Sequence, residues 1–364
     1  MQLRLVVGEE VIGAVASALA GGAPIAPVPE PRQLRALLPD EPVTEPDAAA
    51  VVSTSGSTGE PKAVVLSRTS LRFSADATHS RLGGAGDWVC ALPVRHVAGL
   101  MTVVRAVHAG SILSFARPDL ADLPIPSART YISLVAAQLD RALTEPETTA
   151  RLRDHAAVLV GGSALPTGLR ERATAAGVNL VATYGMSETC GGCVYDGVPL
   201  DGVRVELDGE RIGLGGPMAF LGYRGRPDLT RTVLAGDLVR TSDRGAWADG
   251  RLRVLGRADD IVISGGENVD LAAVQRVCDA AFGVGRLAAL GVPDRRWGTK
   301  VVALTIDDFD LADVRARLEP ELGRAAVPKE LRRVEHLAYT SLGKIDRTAL
   351  ALSWRESGDH GDVG

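Results

Sequence analysis

The chain has 364 residues, of which 46% are hydrophobic and 23% charged, and its formal net charge is −5. This length predicts two domains, or one large and one small, with the composition of an ordinary globular protein. The negative charge gives no support for nucleic acid or an anionic membrane as a partner. No segment approaches the roughly 20 uninterrupted apolar residues of a spanning helix. Glu9 and Glu10 precede the apolar run 11–28, where a signal peptide carries positive charge. We therefore expect a cytoplasmic protein.

The first informative segment is a Ser/Gly-rich loop between two strand-like runs. Val51 and Val52 end one run, residues 53–59 supply hydroxyls and two glycines, and residues 64–66 resume a strand. Such a loop can turn backbone N–H groups and hydroxyls toward an anion, and Lys62 adds a point charge. It lacks the Gly-Lys-Ser/Thr of a Walker A loop. A flexible surface turn is the alternative interpretation.

Apolar runs then alternate with helix-like segments to about residue 195. The strand-like runs are 87–92, 111–115, 130–135, 157–160 and 180–183, and residues 169–176 are helix-like. This alternation predicts a mostly parallel sheet covered by helices. From 198 to 256 short strands with frequent glycines follow, and an Asp249-Gly250 turn predicts a hairpin.

The residues after 260 form a separate pattern. We predict a strand, a helix at 271–281, strands at 287–292 and 300–306, a helix at 311–322 and a short strand. That is a compact α+β unit of about the minimum size for an independent domain. The fold class is therefore α/β, with a large N-terminal domain that includes a small β-rich portion (1–257), a hinge (258–260) and a small C-terminal domain (261–364).

Other segments carry candidate chemistry. ATYGMSE at 182–188 ends in Glu188, and a carboxylate beside a phosphate loop suits a bridging Mg²⁺. LVGGS at 159–163 ends a strand in paired glycines, where the backbone can approach a flat ligand. Asp243 precedes the hairpin and can bond ribose hydroxyls, and Lys344 lies in a turn near the C-terminus. Singly, each segment also fits an ordinary strand-end loop, cap or turn.

The cysteines give a weaker signal. Cys190 and Cys193 form a C-x-x-C, which is the spacing of a redox pair or of half a zinc site. No second close pair and no histidine in ligand-like spacing accompany them. Burial as small hydrophobic residues is therefore favoured.

Five segments in order resemble the adenylate-forming acyl-CoA synthetase superfamily. They are STSGSTGEPKAVVLS, VATYGMSET, RTSDRGAWADGRLRVLGRADDIVISGGENV, GVPDRRWGTKVVAL and SLGKIDR, over roughly residues 50 to 350. The resemblance implies the fold of those enzymes, with a mobile C-terminal domain, and a reaction in two steps. A carboxylate and ATP give an acyl-adenylate and pyrophosphate, and coenzyme A then displaces AMP.

The resemblance also implies roles for single residues. Lys344 would be catalytic, because it stabilises charge at the α-phosphate and the attacking carboxylate. Glu188 would coordinate Mg²⁺, Asp259 would be the hinge, and Gly265 and Gly266 would face the pantetheine of coenzyme A. The nucleotide-binding residues would be Thr54, Ser55, Gly56, Ser57, Thr58, Gly59, Lys62, Gly161, Gly162, Tyr184, Ser187, Asp243 and Arg257.

The chain is short for this superfamily, since its phosphate loop begins near residue 53. Much of the usual N-terminal subdomain would thus be missing. This length, with LPVRHVAGL at 92–100, resembles the short o-succinylbenzoate–CoA ligases of actinobacterial menaquinone synthesis. That resemblance places His96, the second catalytic candidate, beside the reacting carboxylate and Arg105 on the benzoate carboxylate. Gly185 and Gly191 would also contact the substrate. The alternative for Arg105 is a solvent-facing arginine on a helix.

We therefore expect an AMP-forming acid–CoA ligase that uses ATP, Mg²⁺ and coenzyme A on an aromatic carboxylate, 2-succinylbenzoate. We expect no nucleic-acid partner and no membrane insertion, and a homodimer is compatible with the sequence. The alternatives are another aryl or fatty acyl-CoA ligase, a stand-alone adenylation enzyme that loads a carrier protein, and a degenerate ATP-binding regulator. Two positions depart from the superfamily: Ala63 replaces the glycine after the loop lysine, and 269–274 lacks a Glu-Ile-Glu run.

Overall fold

The computed structural model of the chain describes residues 1–28, 31–54, 61–126, 129–339 and 345–356. Of the predicted site residues, Ser55, Gly56, Ser57, Thr58, Gly59 and Lys344 lie outside the described residues. The chain divides into two compact units, which are described separately. Unit 1 comprises Met1–Thr241 and Trp247–Leu252, and unit 2 comprises Ser242–Ala246 and Arg253–Gly364. Residues 242–246 and 253–257 thus group with the second unit, and the hinge at 258–260 stays a prediction.

Helices and strands are numbered in chain order over the described residues. The helices are α1 Glu10–Leu19, α2 Pro31–Leu34, α3 Arg68–Arg81, α4 Val97–Ala109, α5 Ala136–Ala142, α6 Pro146–Arg153, α7 Thr167–Ala175, α8 Pro227–Val233, α9 Leu271–Phe282, α10 Leu311–Leu322 and α11 Arg347–Glu356. Short 3-10 turns are Arg35–Leu37, Ser187–Thr189 and Ala258–Asp260. The strands are β1 Arg4–Val6, β2 Ile25–Pro27, β3 Ala48–Thr54, β4 Lys62–Ser67, β5 Asp87–Cys90, β6 Leu113–Phe115, β7 Thr130–Val135, β8 Ala157–Gly161, β9 Leu180–Met186, β10 Gly191–Tyr195, β11 Val198–Pro199, β12 Arg204–Asp208, β13 Arg211–Gly215, β14 Gly222–Tyr223, β15 Leu234–Ala235, β16 Leu238–Ala248, β17 Arg251–Arg257, β18 Ile261–Ser264, β19 Glu267–Asp270, β20 Leu287–Asp294, β21 Gly298–Thr305 and β22 Leu331–Arg333.

The largest sheet of unit 1 has the strand order β11-β10-β9-β8-β7-β5-β6. Strands β5 to β9 pair in parallel, and β10 and β11 continue the sheet antiparallel. Every strand-like run predicted between 87 and 183 overlaps one of these strands, and the predicted helix at 169–176 is α7. The predicted mostly parallel sheet is therefore confirmed.

Helices α3 and α4 lie between this sheet and a second one, of order β1-β2-β3-β4-β14. Leu100 and Val104 of α4 pack with residues of α1, α3, β3 and β4. Ala106 packs against Trp88 and Tyr131 of the large sheet. The sequence of α4, VAGLMTVVRAVHA, is apolar around almost the whole helix, as expected for a helix buried on all sides. Arg105, near the C-terminal end of α4, therefore lies in the protein interior.

Unit 2 is built on a sheet of order β19-β18-β21-β20, with β22 paired to β21. Alternate residues of β20 face opposite sides, as the two-residue period of a strand requires. Leu287 and Ala289 pack with α9 and α10, whereas Ala288 and Leu290 pack with α11. The helices and strands predicted after residue 260 are thus confirmed.

A further sheet has the order β12-β13-β16-β15, and β17 pairs with β16. The predicted hairpin is confirmed, because Asp249 and Gly250 form its turn with φ values of 52° and 71°. Such positive angles at both central residues are typical of the tight turns that favour Asp-Gly. None of the described helices is long and apolar enough to cross a membrane.

Candidate active site

Both ends of the predicted phosphate loop are held by paired strands. Strands β3 and β4 are antiparallel, and Thr54 lies opposite Lys62 across the mouth of the loop. The neighbouring Ser53 is buried, and its hydroxyl makes no hydrogen bond to a described residue. The ammonium of Lys62 lies 5.4 Å from the centre of the Tyr223 ring. The hairpin therefore fixes where the loop begins and ends, and Lys62 is placed over an aromatic face.

Tyr223 also contacts the predicted metal ligand. Its hydroxyl donates a hydrogen bond to Oε1 of Glu188 at 2.6 Å, and the backbone N–H of Phe220 donates to the carbonyl of Glu188 at 2.9 Å. Burial raises the pKa of Tyr223, and the neighbouring Glu188 carboxylate raises it further, so the phenol remains a donor. Sequence analysis missed Tyr223, because its strand is two residues long and its partners are distant in sequence.

Glu188 fits a nucleotide-linked Mg²⁺ better than a site made by the protein alone. It lies in the 3-10 turn Ser187–Thr189 directly after β9. No group of three or more His, Cys, Asp or Glu side chains in the described ranges could hold a metal ion. Mg²⁺ at nucleotides commonly takes only one or two protein carboxylates and completes its shell with phosphate oxygens and water. With Oε1 bonded to Tyr223, Oε2 is the oxygen left for a cation.

The predicted adenine segments lie next to each other. Strands β8 and β9 are neighbours and parallel, with Val160 opposite Ala182. Gly161 and Gly162 therefore follow β8 beside the segment of β9 that ends at Tyr184 and Ser187. Ligands of open parallel sheets bind at the carboxyl ends of the strands, which is where these residues lie.

Gly185 and Gly191 meet across β9 and β10. Gly185 pairs with Gly192, and Gly191 pairs with Met186. A Cβ added at Gly185 would collide with the carbonyl oxygen of Gly191. Only glycine therefore permits the two backbones to approach this closely, and the two predicted substrate glycines lie in direct contact.

Arg105 is buried, with 4% of its surface exposed. The solvent-facing interpretation of this residue is therefore wrong. Its guanidinium lies 5.0 Å from the centre of the Trp88 ring, and Nη2 donates a long hydrogen bond of 3.5 Å to the hydroxyl of Tyr195. Its Nε has no hydrogen-bond partner, and no carboxylate lies within 4.0 Å among the described residues. A buried cation of this kind is costly unless an anion or further polar groups compensate its charge.

The groups around Arg105 are neutral. Trp88 donates from Nε1 to Nε2 of His79 at 3.1 Å, and Thr78 and Tyr195 share a hydrogen bond of 3.0 Å. Burial lowers the pKa of His79 to about 4, and the charge of Arg105 adds to this effect, so His79 is uncharged near pH 7. The guanidinium thus remains the charged group of this cluster.

The two cysteines of the C-x-x-C are buried free thiols. Cys190 and Cys193 belong to different apolar clusters. Burial raises the pKa of each thiol to about 12, so neither is a thiolate near neutral pH. Both residues are buried in apolar surroundings, as the sequence favoured.

His96 is the residue immediately before α4 and is also buried. Arg105 lies nine positions after it, which is a rise of about 13.5 Å along the helix. Long side chains on helices lean toward the N-terminus, so the guanidinium leans toward the His96 end of α4. One rigid helix therefore sets the spacing between these two predicted substrate contacts.

In unit 2, Arg257 is bound mainly by the predicted hinge residue. Its Nε and Nη2 donate to the two carboxylate oxygens of Asp259 at 3.0 and 2.7 Å, whereas Asp243 lies 3.8 Å away. The structure brings together the two predicted ribose contacts, Asp243 and Arg257. The pairing of Arg257 with Asp259 was not predicted.

Gly265 and Gly266 form the turn between β18 and β19, where Ser264 pairs with Glu267. Their φ values of 62° and 86° lie in the left-handed region, which glycine adopts without steric cost. A Cβ added at Gly265 would lie only 2.8 Å from the ring of Trp297. Beside this turn is a cavity of about 410 Å³. Its lining contains the cations Arg315, Arg324 and Lys329 against the one carboxylate of Glu267, so it suits an anionic ligand.

Comparison with known proteins identifies the family. A family model described as AMP-binding enzyme matches residues 8–223. The probable 2-succinylbenzoate–CoA ligase of Mycobacterium tuberculosis is 43% identical over 331 residues, which cover 86% of this chain and 86% of that protein.

Solved structures match almost the whole chain. An E. coli MenE variant with bound OSB-AMS has a TM-score of 0.79 at 25% identity, and the match covers 98% of this chain and 88% of that chain. The o-succinylbenzoate coenzyme A synthetase (MenE) of Bacillus subtilis, in complex with ATP and a magnesium ion, has a TM-score of 0.77 at 22% identity, covering 96% and 88%. The mixed α/β fold with several sheets is therefore that of adenylate-forming enzymes. With the family match and the 43% identical relative, the chain belongs to the AMP-binding enzyme family.

Proposed function

We propose that this protein is an AMP-forming acid–CoA ligase that activates 2-succinylbenzoate. The aliphatic carboxylate attacks the α-phosphorus of ATP and displaces pyrophosphate, which gives the acyl-adenylate. The thiolate of coenzyme A then attacks the acyl carbon and displaces AMP. The 43% identical relative from M. tuberculosis bears the name of this activity, and the E. coli MenE structure contains OSB-AMS.

The observation that carries the substrate assignment is the buried guanidinium of Arg105, which has no carboxylate partner in the described parts of the chain. 2-Succinylbenzoate has two carboxylates, and only one of them reacts. The second, on the aromatic ring, is expensive to bury unless a cation meets it. Arg105 supplies that cation, and the Trp88 ring, whose centre lies 5.0 Å from the guanidinium, adds a cation–π contact that helps to place it. His96, at the start of α4, would lie beside the carboxylate that reacts.

The nucleotide roles follow the same logic. Thr54, Lys62 and the loop 55–59 would cover the β- and γ-phosphates, and Lys62 would neutralise part of their charge. Gly161, Gly162 and Tyr184 would hold the adenine, Ser187 the α-phosphate, and Asp243 with Arg257 the ribose. Mg²⁺ held by Glu188 would supply charge neutralisation at the phosphate oxygens. Lys344 would stabilise the charge that develops as the carboxylate attacks.

Coenzyme A would be the acceptor in the second step. Gly265 and Gly266 would face its pantetheine arm after the small domain turns about Asp259. The cationic cavity next to that turn suits the phosphate groups of the same molecule. Free coenzyme A as acceptor distinguishes this proposal from an adenylation enzyme that loads a carrier protein.

Arg105→Met tests the substrate assignment, because methionine keeps much of the volume and removes the charge. We expect KM for 2-succinylbenzoate to rise on the order of 100-fold, the loss typical when one partner of a buried charge pair is removed. KM for ATP should stay unchanged. Steady-state pyrophosphate release with each substrate varied measures both constants.

Arg72→Met is the matched control, because Arg72 lies on the neighbouring helix α3 and donates to the carbonyl of Leu19. We expect it to leave both KM values at those of the wild type. An unchanged KM for 2-succinylbenzoate in Arg105→Met would overturn the carboxylate assignment.

A further inference from the structure

Tyr223 lies between two residues that the proposed reaction assigns to the phosphates of ATP. Its hydroxyl is bonded to Glu188 at 2.6 Å, and its ring centre lies 5.4 Å from the ammonium of Lys62. Glu188 follows β9, Lys62 begins β4, and Tyr223 belongs to β14. One side chain thus connects three elements that come from distant parts of the sequence.

The position of Tyr223 is rigid. Its backbone pairs with Val64 of β4, two residues beyond Lys62. Its ring is 6% exposed and packs edge-on against Phe220, with 4.9 Å between ring centres. The adjacent Arg224 is also buried and donates to backbone carbonyls of the segment 37–42. The ring and the hydroxyl therefore have little freedom to move.

The hydroxyl determines how Glu188 can bind a cation. A hydrogen bond to Oε1 restrains the plane of the carboxylate and uses one lone pair of that oxygen, so that Oε2 is the oxygen more available to a metal. Mg²⁺ requires near-octahedral geometry. Coordination by one carboxylate oxygen satisfies that geometry more easily than bidentate coordination by both oxygens. Groups that orient a ligating carboxylate in this way typically contribute tenfold or more to metal affinity.

The ring determines where Lys62 lies. A cation is attracted to the face of an aromatic ring, and this contact holds the ammonium over the ring of Tyr223. No ion pair joins Lys62 to Glu188 in the part of the chain that the structure describes. Tyr223 therefore contacts each of the two charged groups separately, Lys62 through its ring and Glu188 through its hydroxyl.

We propose that Tyr223 is a positioning residue for the phosphates of ATP: it presents one oxygen of Glu188 to Mg²⁺ and keeps Lys62 apart from that carboxylate. This inference rests on the proposed function, because it requires ATP as the substrate. It predicts that the hydroxyl contributes to nucleotide binding only when the metal is present.

Tyr223→Phe removes the hydroxyl and keeps the ring, so the contact with Lys62 remains. ATP binding is measured by titration calorimetry on the full chain without acid substrate, once in excess Mg²⁺ and once in EDTA. We expect the variant to bind ATP about tenfold more weakly than the wild type in Mg²⁺. In EDTA the two proteins should bind ATP equally.

Two further variants separate positioning from general damage. Tyr131→Phe removes another buried hydroxyl of unit 1, which donates to the carbonyls of Leu82 and Gly84, and should bind ATP like the wild type in both buffers. In a Glu188→Gln background, Tyr223→Phe should add no further loss in Mg²⁺, since its effect acts through that carboxylate.

The inference would be overturned if Tyr223→Phe weakened ATP binding equally in Mg²⁺ and in EDTA. It would also be overturned if Tyr223→Phe caused the same loss of ATP affinity in the Glu188→Gln background as in the wild type. If the wild type binds Mg·ATP and Tyr223→Phe binds it equally well, the inference alone fails. If the wild type binds no ATP, the proposed function fails together with it.

Discussion

Arg105 and Arg224 are buried to the same degree but in opposite surroundings. Arg105 is 4% exposed, and its partners among the described residues are one long hydrogen bond and an aromatic ring. Arg224 is 5% exposed, and its guanidinium donates to the carbonyls of Leu37, Leu38, Glu41 and Pro42. Arg105 therefore lowers the free energy of unfolding of the ligand-free protein. Arg224 raises it, because its hydrogen bonds connect β14 to the segment 37–42.

This contrast predicts opposite signs for two similar substitutions. Arg105→Met should raise the free energy of unfolding of the ligand-free protein by about 1 kcal/mol, because a poorly compensated buried charge is removed. Arg224→Met should lower the same quantity by about 3 kcal/mol, because several carbonyls lose their donor. Urea unfolding at pH 7 measures both values. A destabilised Arg105→Met would mean that the arginine serves the fold, and would count against its role as an anion site.

At the scale of elements, the close approach of β9 and β10 determines where several predicted site residues lie. Gly185 lies against the carbonyl oxygen of Gly191, and the residues on either side include Tyr184, Ser187 and Cys190. Any side chain at position 185 must move β10 away from β9. Tyr184, the predicted adenine contact, and the predicted substrate contacts Gly185 and Gly191 would then shift together.

Gly185→Ala tests this arrangement. We expect overpacking of about 1–3 kcal/mol, seen as a lower midpoint of thermal unfolding, together with a large loss of pyrophosphate release. Gly168→Ala is the control, because a Cβ at Gly168 in α7 meets no atom within 4 Å. That variant should keep the activity of the wild type. A fully active and equally stable Gly185→Ala would contradict the close approach of the two strands.

The elements themselves were largely predictable from the sequence. The runs 130–135 and 157–160 were correctly predicted as strands, here β7 and β8. Such elements can be predicted because their hydrophobic periodicity involves only residues that are adjacent in sequence. The link between Tyr223 and Glu188 was not predictable, because it depends on β14 pairing back onto β4. Arg105 was recognised as a charge in an apolar run. That no described carboxylate pairs with it is seen only once α3, α4, β5 and β10 are packed together.

At the scale of the whole molecule, the chain has two compact units, and their boundaries fall within β16 and β17. The sequence predicted a boundary at 257, after the hairpin. A local sequence pattern identifies each strand as one continuous element and does not indicate that a strand is divided between two units. Residues that the proposal assigns to ATP occur in both units, with Glu188 in the first and Asp243 and Arg257 in the second. Rotation about Asp259 between the two steps remains a prediction.

The central claim is that this chain activates 2-succinylbenzoate, and pyrophosphate release with a pair of acids tests it most directly. The pair is 2-succinylbenzoate and 4-oxo-4-phenylbutanoate, which lacks only the ring carboxylate. With ATP, Mg²⁺ and free coenzyme A, we expect rapid release with the first acid. With the second we expect kcat/KM to be lower by at least about 100-fold, because a site built for a buried polar group rejects a substrate without it. Equal kcat/KM for the two acids, or release only with unrelated fatty or aryl acids, would contradict the account.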